Sequence, residues 1–150
     1  MIPEYLLAKF FHVLIAILAL GTSAGLGVIL EFYGDHPAHG AFVLRAIARI
    51  GAFFVLPGYL LMLATGLWMA RLAWPMTTGW ILAAVILWAA GAIVLSISLA
   101  VLRRQIRLFD TEGPASASYR RTSLLGRALG AATGLVVVAI LYLMIFKPGA

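Results

Sequence analysis

The side chains in this sequence that could hold a metal or cofactor are few. They are the imidazoles of His12, His36 and His39 and the thioethers of its five methionines. Cysteine is absent, which excludes disulfides, thiolate metal sites, iron–sulfur clusters and covalent c-type haem attachment. His12 lies inside an apolar run, and Met62, Met69 and Met144 stand at comparable depth on other apolar runs. An imidazole facing a thioether makes a sensible axial pair for a b-type haem, because neither ligand needs a negative charge. The competing reading is structural, with the histidine donating to a carbonyl one helix away and the methionines filling gaps. His36 and His39 form a His-x-x-His pair beside Asp35, in Gly34-Asp35-His36-Pro37-Ala38-His39-Gly40. That pair is a candidate zinc or copper site, although a segment containing Pro and Gly reads equally as a turn.

Catalytic patterns are missing. The apolar runs contain no paired carboxylates, no nucleophile with a base at helical spacing, no phosphate-cradling glycine loop and no His-Glu metal motif, so no catalytic residue is expected. An ion-coupled pump would need a carboxylate or lysine inside its spans, and there is none.

The elements that must position these groups follow from composition. Of 150 residues, 64% are hydrophobic and 11% charged, and the mean hydropathy is +1.08, which places the chain in a lipid bilayer. Residues 10–30, 50–70, 80–102 and 128–146 contain no Asp, Glu, Lys or Arg. Barrel strands would alternate in polarity, and these runs do not. The expected fold is therefore all-α: one polytopic domain over residues 1–150, a four-transmembrane-helix bundle with spans near 6–31, 47–72, 79–103 and 124–146. The first apolar stretch continues through Leu30, which favours a retained span over a cleaved signal peptide.

Charge then orients the bundle. The formal net charge of +6 comes from 11 basic and 5 acidic residues. Alternating the spans puts Lys9, Arg71 and Lys147 on one side. The other side holds Arg45, Arg49, Arg103, Arg104, Arg107, Arg120, Arg121 and Arg127. By the positive-inside rule the arginine side is cytoplasmic, both termini face the periplasmic or outer side, and the membrane is the inner (plasma) membrane. The basic balance is thus topological. The expected partners are the bilayer and other membrane subunits or a second copy, and nucleic acid is not among them.

Small residues mark where helices can approach closely in lipid. Gly126, Gly130 and Gly134 recur every four residues, and His12 leads a stripe through Ala16, Ala19, Ser23 and Gly27. In the second span Gly51 and Gly58 share a face with Met62, Thr65 and Met69, and Pro57 predicts a kink because it removes the bond to the Phe53 carbonyl. Trp68, Trp74, Trp80 and Tyr142 read as an interfacial belt. Thr111-Glu112-Gly113-Pro114 predicts a helix break, with Ser116 or Ser118 capping the last helix.

Several short motifs occur together: Lys9-Phe10-Phe11-His12, Leu56-Pro57-Gly58, Thr65-Gly66-Leu67-Trp68, the Trp80 that opens the third span, and Phe146-Lys147-Pro148. The pattern resembles the small four-helix predicted integral membrane proteins of unknown function. That group is loosely related to CopD-like copper-resistance proteins and HemJ-type protoporphyrinogen oxidases. In the HemJ type, a first-helix histidine and a third-helix lysine just after a tryptophan are associated with haem binding and activity. His12 matches the histidine, whereas Ile81-Leu82-Ala83-Ala84 follows Trp80. The resulting expectation is a non-catalytic accessory or self-associating protein that holds haem b or a related tetrapyrrole at His12. A haem-dependent redox enzyme of the HemJ type and a copper-handling protein are the alternatives.

Overall fold

The computed structural model describes residues 3–149. Its helices are α1 (Pro3–Tyr33), α2 (Gly40–Ile50), α3 (Leu56–Ala73), α4 (Gly79–Glu112) and α5 (Ala117–Phe146), with no strand among the described residues. A π turn, Gly51–Val55, joins α2 to α3, so that Gly40–Ala73 forms one span and four helices are long and apolar enough to cross a membrane. The break expected at Pro57 takes the form of this turn. Pro57 offers no N–H, and just before it the ladder widens so that the Leu56 N–H reaches the Gly51 carbonyl, five residues back. At the other predicted break, Gly113 adopts φ 80° and the Ser116 hydroxyl accepts from the Tyr119 N–H at 3.2 Å, starting α5 where expected. At 34 residues, α4 is about 51 Å long against a hydrocarbon core of about 30 Å, so its arginine-bearing end runs past the lipid interior.

The spans pack as two antiparallel pairs, α1 with α3 and α4 with α5, while α3 meets α4 only sparsely. The seams follow steps of three and four residues. On α5 the inward positions run through Tyr119, Thr122, Gly126, Leu129, Thr133, Val136 and Ile140, and on α1 through Ala8, His12, Ala19, Thr22 and Leu26. A period near 3.5 residues is that of a left-handed supercoil. A strict four-residue step rotates about 40° too far each time, because each residue turns about 100°. Gly126 therefore faces Gln105 and Val101 of α4, whereas a Cβ at Gly130 or Gly134, expected on the same seam, would meet no other element within 4 Å among the described residues. The same drift leaves Ser23 and Gly27 exposed, and Gly51 also meets nothing. Gly58 does serve as a contact: a Cβ there would come within 2.6 Å of Ala19 Cβ.

The pairs are fastened at the arginine-rich end. Tyr119, fully buried, donates its hydroxyl to the Gly34 carbonyl at 2.6 Å and accepts from Gln105 Nε2 at 3.1 Å, tying the turn after α1 to both α4 and α5. Beside it Asp35 accepts from the Ser123 hydroxyl at 3.1 Å and from Arg127 at 2.8 Å, and Arg127 also reaches Glu31 at 3.2 Å. Val43 and Leu44 bury the apolar face of α2, which packs on α4.

Tyr119 lies beside Arg120 and Arg121, ahead of the charge-free run 128–146, and burial pushes its phenol from 10.0 up to about 12. Because the folded value lies above the unfolded one, the stabilisation is complete below pH 10 and declines as pH rises toward 12. Tyr119→Phe leaves the Gly34 carbonyl and the Gln105 amide without this partner, at an expected cost of about 1–3 kcal/mol. Thermal unfolding in detergent should show a lower midpoint for the variant and a steeper alkaline decline for the wild type. Equal alkaline declines in the two proteins would mean that Tyr119 is not the titrating group.

Candidate functional site

Away from the arginine-rich end the two pairs separate and enclose a cavity of about 810 Å³, lined by residues of α1, α3, α4 and α5. Its floor is a reciprocal latch between α3 and α4. Tyr59 donates its hydroxyl to the Trp88 carbonyl at 2.6 Å, Trp88 Nε1 donates to the Tyr59 carbonyl at 3.3 Å, and the two rings stack with centroids 4.8 Å apart. Gly91 makes room for it, since a Cβ there would meet the Tyr59 hydroxyl at 2.6 Å. At the terminal end, Trp74 packs edge-on against both Tyr5 and Trp80, with Lys147 Nζ 4.2 Å from the Trp74 ring centroid. Along the cavity, α1 and α5 form no packed interface with each other, which leaves this flank open.

His12 lines this cavity and is only 6% exposed. Its Nδ1 lies 3.0 Å from the Thr65 hydroxyl, and that hydroxyl donates to the Leu61 carbonyl at 2.7 Å. A hydroxyl has one proton; with that proton on the Leu61 carbonyl, Thr65 accepts from His12, and hydrogen-bond accounting assigns the ring the Nδ1–H tautomer. In that tautomer Nε2 keeps its lone pair. Gly66 makes the seat flat, because a Cβ there would come within 3.1 Å of His12 Cε1. Met62, Met69 and Met144 line the same cavity, so the four residues singled out for a cofactor share one enclosure.

The loop histidines are elsewhere. His36 and His39 are exposed and stack with centroids 4.7 Å apart, and His36 Nδ1 accepts from the Ala38 N–H at 3.2 Å. Asp35 is engaged with Ser123 and Arg127. Among the described residues no group of three or more His, Asp or Glu side chains converges to hold a metal ion.

Thr65, Gly66, Tyr59 and Trp80 were not singled out as site residues from the sequence. Thr65-Gly66 carried a signal, a hydroxyl and a missing side chain on the span facing His12, but it becomes readable only when α1 and α3 are known to pair. Trp80, expected in the interfacial belt, is instead 5% exposed and packs with Ala70, Ile81 and Trp74. Trp68 is 45% exposed, as a belt residue should be.

The seat can be tested without any ligand. In protein ¹⁵N-labelled at histidine, the His12 ring should give one protonated and one unprotonated nitrogen, with Nδ1 the protonated one. Thr65→Val removes the acceptor and should release the fixed tautomer; a spectrum unchanged by that substitution would show that Thr65 does not set it.

A family model described as "Predicted integral membrane protein (DUF2269)" matches residues 6–148. No curated protein and no solved structure matches the chain. With four apolar spans, and with the match running through nearly all of the sequence, the chain belongs to this family of predicted integral membrane proteins.

Proposed function

We propose that the protein is a small non-catalytic subunit of the inner (plasma) membrane that holds a b-type haem or related tetrapyrrole in its inter-helical cavity, with His12 as the protein ligand. The observation that carries this reading is the buried His12 ring, which lines a cavity of about 810 Å³ with its Nδ1 3.0 Å from the Thr65 hydroxyl; in the assigned Nδ1–H tautomer its Nε2 is free to ligate. A hydroxyl that accepts from the far ring nitrogen in this way orients a ligating imidazole and raises its basicity. The residues present fit such a group. The volume lies within the roughly 300–1,000 Å³ of small-molecule sites, the lining is largely apolar, and Met62, Met69 and Met144 supply neutral thioethers from α3 and α5. Bound there, a haem would supply one-electron redox chemistry. The chain's own part is to ligate through His12, hold the ring with Thr65 and Gly66, and keep water away with apolar walls.

The outward glycines, Gly27 on α1 and Gly130 and Gly134 on α5, suit close approach by another membrane subunit or a second copy. The termini and the mouth of the cavity belong to the periplasmic or outer side, because eight of the eleven basic residues gather at the opposite end.

Purified in detergent and supplied with haemin, the protein should develop a Soret band. His12→Ala should abolish or shift it, and Thr65→Val should weaken haemin binding by about 10–100-fold. A His12→Ala protein with the wild-type spectrum and affinity would overturn the assignment. A cysteine introduced at Arg104 should resist membrane-impermeant thiol reagents applied to intact cells, and ready labelling there would reverse the orientation.

A further inference from the structure

The terminal end of the cavity carries a group that the proposed His12 site does not use. Trp80 lines the cavity and is 5% exposed, and its Nε1–H is buried without an acceptor among the described residues. A buried indole N–H is a donor only and is ordinarily paired. Around it the chemistry has one sign. Lys9 and Lys147 both line the cavity, and neither Asp nor Glu does. Lys147 takes the left-handed conformation, φ 43°, unusual for a residue with a side chain, and its Nζ sits over Trp74, whose ring meets Trp80 edge-on at 5.4 Å. Away from this end the lining is apolar down to the Tyr59–Trp88 floor, apart from His12.

We infer that this end is a carboxylate subsite, in which Trp80 Nε1–H donates to an acid oxygen and Lys147, with Lys9 at the rim, supplies the opposing charge. The ligand class is an amphipathic acid whose apolar body lies toward His12 and whose acid group lies toward the terminal end, entering from lipid between α1 and α5. Two sources share that chemistry: the propionates of a tetrapyrrole and the head of a free fatty acid. Only the first rests on the function proposed above.

The test uses the full chain in detergent with two acid and ester pairs: haemin with its dimethyl ester, and the fluorescent fatty acid cis-parinaric acid with its methyl ester. A charge-assisted hydrogen bond should make at least one acid bind about tenfold or more tightly than its ester. Trp80→Phe keeps the ring and removes the donor, and should bring that ratio toward one. Lys147→Gln, at the half-exposed rim, should do the same where Trp80→Phe folds poorly, and Lys147→Arg should restore it. Acid and ester binding equally in both pairs, a ratio unmoved in both variants, or no binding by either acid overturns the subsite. Discrimination by parinaric acid with no Soret band from haemin supports the subsite and removes the tetrapyrrole. Haemin held through His12 with equal acid and ester affinities in both pairs does the reverse.

Discussion

Inside a bilayer, apolar side chains gain nothing by leaving lipid for one another, so helices associate through close packing and through polar groups that must be satisfied within the protein. In this chain that constraint is met most completely at one place. The Tyr119 hydroxyl bridges the Gly34 carbonyl and the Gln105 amide while Arg127 gathers Glu31 and Asp35. The buried polar residues Gln105, Thr122 and Ser123 all belong to this end. With the two helix pairs fastened there, the opposite ends are not required to meet, and the cavity is the consequence. Arg45–Asp110, with both side chains well exposed, adds little to the fastening, on the order of 0–1 kcal/mol.

The same rule explains the form of the interior. Most of the buried or half-buried polar side chains of α3, α4 and α5 within the spans are answered locally. Ser96, Ser98 and Thr133 donate to carbonyls one turn back, and Tyr59 and Trp88 satisfy each other's backbone carbonyls. His12 is answered on its Nδ1 side by Thr65, and Trp80 Nε1 has no partner among the described residues. Those two residues line the same cavity.

Much of this was legible in the sequence, for identifiable reasons. The four spans and the absence of charge within them are properties of composition along the chain. The Gly113 break and the Ser116 cap are local chemistry that needs no partner. His12 and the three methionines were found because polar or ligating groups are rare in such runs, and depth along a helix follows from its rise per residue. What could not be read depends on which helices pair. The seam period of 3.5 residues, which turns Gly130, Gly134, Ser23 and Gly27 outward, follows from supercoiling against a neighbour. Thr65 and Gly66 matter only because α3 lies on α1. Trp80 went to the core and Trp68 to the surface, although composition gives them equal claims on the interface.

The depth of the cavity bears on which functions the fold can support. A conducting path or an alternating-access site needs a polar route across the whole membrane or two faces that open in turn. Here the Tyr59–Trp88 latch closes the cavity from below, and Gly91 lets the Tyr59 hydroxyl come close against α4. Beyond the latch, the space toward the arginine-rich end is filled by the packed seam through Val101, Gln105, Tyr119 and Thr122. The cavity is therefore a pocket with one floor, one basic rim and one open flank between α1 and α5. Such a shape suits retention of the amphipathic molecule proposed above better than its passage.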